Sequence, residues 1–238
     1  MKKIFLTVLT VLLVVLSSCK KEIERDDIEI FYNIPALLGY DFELKHTTLI
    51  TPSGTYLAPQ LTNLFINPLE DGDPFLTVYA INNDQEKFEG YTVLYELYDI
   101  NILRKESSQA TEGGESAEED FKAPIQDMAP YTFIKDSHFN HNVAFFYFIH
   151  ANNVSVSARF IYEMTYDPDE DSEIPTVYFR AKQVDAGIPP YEPFVYFCTF
   201  ELDEFLLERG KINIMYKTGE ENEKELFKEW EDNPLSLS

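Results

Sequence analysis

Two short segments of the chain carry side chains that could bind a metal ion. The first contains His138 and His141, and imidazole nitrogens are common zinc ligands. No cysteine or glutamate lies at ligand spacing beside them, and Asn140 and Asn142 tolerate the left-handed backbone of a tight turn. The pattern therefore predicts a turn before a strand, with no metal bound there.

The second segment, Asp167–Glu173, has the carboxylate density of a calcium-binding loop. Such a loop needs glycine at its sixth position and glutamate at its twelfth. Those positions hold Ser172 and Tyr178. The pattern favours a solvated acidic hairpin loop and leaves weak binding of Ca²⁺ open.

The sequence contains none of the common catalytic signatures. A Gly-Lys-Ser/Thr phosphate loop, a Gly-x-Ser-x-Gly nucleophile elbow and a His-Glu-x-x-His helix are all absent from it. The 42 acidic residues leave a carboxylate pair of the hydrolase type open, but no spacing selects one. We therefore predict no catalytic residue and no cofactor.

Cys198 is a candidate nucleophile by residue type alone. It lies in the apolar, strand-like run 194–200, where alternation places it on one face with Phe194, Tyr196, Phe200 and Leu202. A free cysteine in such a run is usually a small core residue. We predict that Cys198 is buried, reduced and unreactive.

The N-terminal residues have the pattern of an export signal. Lys2 and Lys3 precede the apolar run Ile4–Leu16, which suits a signal peptide and is shorter than the ~20 residues that span a bilayer. The following Leu-Ser-Ser-Cys resembles the lipobox of bacterial lipoproteins, which implies removal of residues 1–18 and lipidation of Cys19 with two or three acyl chains, palmitate among them. The alternative is a short N-terminal anchor with an incidental cysteine.

Charge limits the class of partner. The net charge is −23, and it becomes more negative when Lys2 and Lys3 are removed. Such a surface repels phosphate backbones and anionic lipid head groups. We therefore expect no nucleic-acid partner and no broad electrostatic contact with a membrane, to which the lipid on Cys19 would attach the protein.

Strand patterns dominate the rest of the chain, which predicts an all-β fold in two pieces. Thr51-Pro52-Ser53-Gly54 is typical of a β-turn. Residues 203–209, followed by Gly210, favour a helix of at most two turns. The segment 223–230 would also suit one face of a helix, but it follows a turn at Thr218-Gly219 and is predicted as a strand. The predicted strands are 47–50, 55–58, 75–81, 91–103, 143–149, 154–166, 176–184, 194–202, 211–217 and 223–230.

Strand 143–149 is almost wholly apolar, as expected for a central strand that is covered on both faces. Strand 154–166 instead alternates apolar and polar residues, which predicts one face on the core and the other in solvent. Between the two pieces, residues 104–123 include a polar, Gly- and Glu-rich stretch without large apolar side chains, which predicts a flexible boundary.

Several of these segments together resemble one family. The Cys19 lipobox, the hairpin segment 48–59, residues 89–103, Phe200-Glu-Leu-Asp and 211–217 occur in the order found in the NigD-like lipoproteins of Gram-negative gut and oral bacteria. The resemblance implies an N-terminal OB-like barrel followed by a C-terminal antiparallel β-sandwich. It brings no established activity and no catalytic residue. The acidic stretch 106–120 and the charged segment 220–229 depart from the pattern.

These observations predict five segments, namely a signal peptide (1–18), a lipidated tether (19–32), an OB-like barrel (33–105), an acidic flexible linker (106–122) and a β-sandwich (123–232). The expected protein is a monomeric, non-enzymatic lipoprotein of the outer membrane, on its periplasmic or cell-surface side. It would present its β-domains to a protein or glycan partner, with an association to bacteriocin genes implied by the family name. The alternatives are a fimbrial-type subunit assembled by strand donation and a glycan-acting hydrolase.

Overall fold

The computed structural model describes residues 27–237 except 60–71, 117, 119, 137, 139, 151–153, 156 and 191–193. The predicted signal peptide and Cys19 lie outside the described residues. Within the described part of the chain, strands dominate and one short α-helix is present, which confirms the all-β class. No helix in this part is long and apolar enough to cross a membrane.

The N-terminal half forms a closed five-stranded barrel. Its strands are β1 (Ile28–Asp41), β2 (His46–Thr51), β3 (Gly54–Leu57), β4 (Pro74–Asn82) and β5 (Thr92–Ile102). They follow the order β1-β2-β3-β5-β4 and close on β1, with β3 parallel to β5, as in an OB-like Greek-key barrel. The predicted turn joins β2 to β3, where the Thr51 hydroxyl donates to the carbonyl of Gly54 over 3.0 Å.

The barrel begins earlier than the sequence pattern predicts. Ile28 to Phe31 pair with β4, and the ring of Phe31 stacks on Tyr79 with 5.0 Å between centroids. The prediction of a tether extending to residue 32 is therefore wrong. The apolar residues that follow Asp27 bury part of their surface on β4, so the strand extends back to that point.

The C-terminal half consists of two sheets around one core. Its elements are β6 (Lys105–Ser107), β7 (Gln109–Ala110), β8 (Asp127–Asp136), β9 (His141–Ile149), β10 (Arg159–Tyr166), β11 (Thr176–Asp185), β12 (Val195–Glu201), α1 (Glu204–Arg209), β13 (Lys211–Glu221), β14 (Lys224–Glu229) and β15 (Leu235–Ser236). One sheet has the order β14-β13-β11-β10-β7, with β15 paired to β13. The other has the order β6-β12-β9-β8.

The four-stranded sheet is covered on both faces. Phe146 and Phe148 of β9 face the sandwich core, whereas Val143 and Phe145 pack against the barrel through Leu37 and its neighbours. The protein therefore has three layers, namely barrel, four-stranded sheet and six-stranded sheet. The prediction of a central strand at 143–149 is confirmed.

Strand pairing in the sandwich is mixed rather than purely antiparallel. The pairs β11–β13, β12–β6 and β10–β7 are parallel. Between β11 and β13 the chain crosses to the other sheet as β12 and returns through α1, so β13 runs in the same direction as β11. This crossover has no signature in the alternation of single strands.

The helix has the predicted limits. The Asp203 carboxylate accepts a hydrogen bond from the backbone N–H of Phe205, which caps the first turn. Gly210 ends the helix with a φ of 69°, a conformation that favours glycine.

The predicted linker 106–122 is folded wherever the structure describes it. β6 pairs with β12 and β7 pairs with β10, so this segment contributes a strand to each sheet. The residues that follow cover the outer face of the six-stranded sheet, where Arg180 donates to the carbonyl of Gly114 and Lys217 to that of Phe121. The prediction of an acidic flexible linker is wrong for the described residues of this segment, because polar contacts to the sheet order a stretch that buries little apolar surface of its own.

The same contacts correct the expectation for β10. The alternation predicts that its polar face lies in solvent. In the structure Glu163 and Thr165 of this face are buried, and the Thr165 hydroxyl donates to the carbonyl of Gly114. The strand is also shorter than predicted, since it begins at Arg159 rather than at residue 154.

Candidate binding site

A cleft of about 730 Å³ lies between the barrel and the sandwich. We call it the interdomain cleft, and its lining residues are Asn33, Leu76, Asn101, Ile102, Leu103, Arg104, Tyr131, Phe194, Val195, Tyr196 and Phe197. Its volume is within the range of small-molecule sites, about 300–1,000 Å³. Four of the apolar side chains are substantially exposed, namely Ile102, Tyr131, Phe194 and Val195.

Two β-bulges shape the cleft. In β1 the register shifts between Phe31 and Ile34, and Asn33 adopts a φ of 51°. In β8 the register shifts between Pro130 and Thr132, which leaves Tyr131 without a paired residue on β9. The Tyr131 hydroxyl donates to the carbonyl of Asn33 over 3.1 Å, so the two bulges meet across the cleft. Bulges commonly re-aim a side chain in this way.

The aromatic wall is built by the start of β12. Phe194 precedes the strand and packs edge-on against Tyr196, with ring centroids 5.2 Å apart. Phe197 packs edge-on against Tyr131, with centroids 5.5 Å apart. The apolar floor is formed by Leu76 and Leu103, which are buried. The cleft therefore offers exposed ring surface above an apolar base.

The polar groups of the cleft are mostly uncharged. Asn33 and Asn101 supply amide groups that can both donate and accept hydrogen bonds. Arg104 forms an ion pair with Glu106. Burial raises the pKa of Glu106, and the charge of Arg104 opposes that shift. The arrangement can hydrogen-bond and stack against a neutral ligand.

A smaller pocket of about 420 Å³ lies at one end of the barrel. It is lined by His46, Leu57, Pro59, Gln85, Glu86, Lys87, Phe88 and Val93, and the rings of His46 and Phe88 meet edge-on with 6.0 Å between centroids. The Tyr91 hydroxyl donates to Asp41 over 3.0 Å and so joins the β1–β2 and β4–β5 loops. A hydrogen bond from the backbone N–H of Leu44 lowers the pKa of Asp41.

Both segments that the sequence offered as metal-binding candidates form turns or loops between strands. His138 and His141 flank Asn140, whose φ of 59° confirms the predicted turn between β8 and β9. In the acidic loop, Asp167 accepts from the backbone N–H of Asp169, and Glu170 accepts from that of Thr176.

These carboxylates therefore organise the β10–β11 loop. Among the described residues, no group of three or more His, Cys, Asp or Glu side chains is placed to hold a metal ion.

Cys198 is buried in the sandwich core beside Phe200, as predicted. Burial raises the pKa of its thiol to about 12, so the thiolate is scarce at neutral pH. Phe194 does not share this burial, because it lies before the strand and lines the interdomain cleft instead.

Sequence reasoning did not identify the interdomain cleft. Its lining comes from β1, β4, β5, β8 and β12, and the bulge at Asn33 depends on the pairing of β1 with β4, which lies far along the chain. Asn33 before Ile34-Pro35 and Pro130 before Tyr131 were the available local signals, since asparagine tolerates positive φ and proline interrupts a ladder.

Comparison with solved structures shows the fold. An uncharacterized protein from Parabacteroides merdae matches with a TM-score of 0.68 and 13% identity, covering 87% of this chain and all of the other. A Bacteroides fragilis protein solved as a "Putative lipoprotein" matches with a TM-score of 0.53 and 15% identity, covering 88% and 99% of the two chains. Both likenesses concern the fold alone.

A NigD-like immunity protein from Bacteroides caccae is also similar, with a TM-score of 0.42 and 10% identity over 84% of this chain and 91% of the other. No family model matches the chain, and no curated protein matches it in sequence.

Proposed function

We propose that this chain is a cell-envelope lipoprotein that is anchored by lipid on Cys19 and binds a glycan in the interdomain cleft without catalysing a reaction. The anchor is supported by the pattern from Lys2 to Cys19 and by the fold shared with the Bacteroides fragilis protein. The outer membrane is the proposed location, and the protein acts as a monomer.

The cleft is the single observation that supports binding. Exposed aromatic rings stack on the apolar faces of sugar rings, and the amides of Asn33 and Asn101 match sugar hydroxyls. The ion pair of Arg104 with Glu106 and the acidic surface disfavour an anionic ligand. A neutral oligosaccharide fits this chemistry best.

The test is a titration of neutral and anionic oligosaccharides with the mature chain carrying Cys19→Ser. We expect at least one neutral oligosaccharide to bind, and Phe194→Ala to weaken its binding about tenfold, since loss of one stacking ring costs roughly 1–3 kcal/mol by analogy with base stacking. Phe42→Ala is the matched control, because Phe42 is 77% exposed and lies outside the cleft.

Three results would contradict the proposal. An equal loss of oligosaccharide affinity in Phe194→Ala and Phe42→Ala would show that the interdomain cleft is not the binding site. Release of sugar products during the titration would favour a hydrolase. Ladders of the purified protein in place of a monomer would favour strand donation between subunits.

The anchor is tested separately in cells. Cys19→Ser should abolish incorporation of labelled palmitate and release the protein from the membrane fraction or leave the precursor uncut. A processed Cys19→Ser protein that stays in the membrane would overturn the lipid assignment. Protease treatment of whole cells then decides between the periplasmic and the outer side.

A further inference from the structure

The outer surface of the barrel carries a second group of exposed apolar side chains. We call it the tyrosine face and define it as Ile30, Tyr32, Tyr95 and Tyr98, which are 41%, 66%, 39% and 49% exposed. They come from β1 and β5, which lie on either side of β4. Contiguous exposed apolar surface of this kind marks a contact with a protein or a membrane.

Strand register brings these residues together. Ile30 and Glu96 lie opposite the same residue of β4, Ala80. Tyr32 lies in the β1 bulge, and Tyr98 lies in a bulge of β5 between the partners of Val78 and Tyr79. Tyr98 donates a hydrogen bond to Glu96, and the nearby Tyr95 and Tyr32 also raise its pKa, consistent with a shared surface.

The position of this face in the chain relates it to the anchor. Ile30 and Tyr32 follow Asp27 by three and five residues, and Cys19 precedes Asp27 by eight. Eight residues span at most about 28 Å when fully extended. A lipid on Cys19 therefore confines the start of β1, and with it the tyrosine face, to the vicinity of the bilayer surface.

We propose that the tyrosine face lies against the head-group layer of the membrane that holds the lipid on Cys19. This inference rests on the proposed anchor. Tyrosine is enriched at membrane interfaces, where its ring is partly buried and its hydroxyl stays hydrated. Tethering raises the local concentration of the bilayer to the millimolar range or above, so a weak contact is sufficient.

Charge indicates which bilayer this face contacts. Glu96 is exposed and accepts a hydrogen bond from Tyr98, and the whole chain is acidic. Anionic head groups would repel this surface. The contact is therefore with a zwitterionic surface, and it weakens when anionic lipid is added.

The test uses the mature chain coupled through the Cys19 thiol to a maleimide lipid in phosphatidylcholine vesicles. Cys198 does not compete at neutral pH, because it is buried and its pKa is raised to about 12. Carbene footprinting then compares the coupled protein with the free protein. We expect labelling of Tyr32 and Tyr98 to fall several-fold, with labelling of Ile188 and Leu226 unchanged as exposed residues of the sandwich.

A variant pair checks the assignment. Tyr32→Ser combined with Tyr98→Ser should remove the protection of Ile30 and Tyr95, whereas Leu226→Ser should leave it intact. Circular dichroism of both variants confirms that the fold is retained.

Equal labelling of the tyrosine face in free and coupled protein overturns the inference and leaves this face to a protein partner. Protection that grows with phosphatidylglycerol content also overturns it. Because the coupling is chemical, these results do not depend on lipidation in cells. If Cys19 is not lipidated in cells, the native protein will fail to incorporate labelled palmitate, and that result is separate from the footprinting.

Discussion

Arg180→Met tests what holds the acidic segment 111–123 on the six-stranded sheet. Arg180 is 2% exposed on the outer face of that sheet. Its guanidinium donates to Glu225 over 2.8–3.0 Å, to Thr165 over 2.7 Å and to the carbonyl of Gly114 over 3.0 Å. Methionine keeps most of the side-chain length and removes all of these donors.

The expected cost follows from what the substitution leaves behind. Glu163 lies 3.7 Å from Arg180, and both side chains are 3% exposed. Removal of one partner from a buried ion pair costs about 3–5 kcal/mol, because the other charge stays buried. Glu225 adds less, since its side chain is 31% exposed and water screens it. We expect the free energy of unfolding to fall by about 3–5 kcal/mol.

The matched control is Arg159→Met on the neighbouring strand β10. Arg159 pairs with Asp185 over 3.5 Å, but the two side chains are 74% and 51% exposed. An exposed pair is worth about 0–1 kcal/mol, so this variant should unfold almost like the native protein. Arg180→Lys, which keeps the charge and loses the planar fork, should lie between the two.

Urea unfolding measures these costs, and limited proteolysis with a glutamate-specific protease measures the release of the segment. In Arg180→Met we expect the protease to cut first after Glu112 and Glu115, because the segment that contains them is released from the sheet. Costs below 1 kcal/mol for Arg180→Met, with an unchanged cleavage pattern, would refute the assignment of Arg180 as the residue that holds the segment. If Arg180→Met does not fold, Arg180→Lys is compared with the native protein and with Arg159→Met in the same two measurements.

Two further predictions concern ionisable groups of the sandwich. Burial raises the pKa of Glu225, but hydrogen bonds from Arg180 and Lys217 outweigh it and hold the pKa below its ordinary 4.5. Such a group stabilises the fold above its unfolded pKa, and this contribution is lost as pH falls through the folded pKa. Urea unfolding between pH 6 and about 3 should therefore show a shallower loss of stability in Glu225→Gln than in the native protein. For Cys198, native-state thiol titration should be slow, Cys198→Ala should cost about 1 kcal/mol, and Cys198→Asp should cost several times more, because it buries an unpaired carboxylate. Rapid labelling of the folded protein would contradict the core assignment.

Local patterns predicted most of the longer strands and the helix, but they missed β1 (Ile28–Asp41) and β8 (Asp127–Asp136). The period of two in β12, the turn at Thr51–Gly54 and the stop at Gly210 are short-range signals, and each is found at its expected place. Such signals depend on residues within a few positions of each other. The central position of β9 was also predictable, because a strand without polar residues needs cover on both faces.

The fold of the acidic segment could not be predicted in this way. Its own composition gives it too little apolar surface to order itself. The ordering groups are Arg180, Lys182 and Lys217, which lie on the sheet about 60 to 100 positions later in the chain. A charge on a strand face normally indicates solvent, so the sequence alone gives no reason to match these cations with the carbonyls of Gly114 and Phe121.

The interdomain cleft was missed for a related reason, and its origin bears on how it would bind. Its walls belong to two domains whose contact is apolar, with Leu37 and Leu76 of the barrel packed against Val143 and Phe145 of the four-stranded sheet. Burial of such side chains stabilises the contact by about 1.5–3 kcal/mol each, so the two domains are held together. The cleft between them is consequently formed before a ligand arrives, which spares the ordering cost that weakens binding at flexible surfaces. The apolar interface that joins the domains therefore also fixes the shape of the proposed binding cleft.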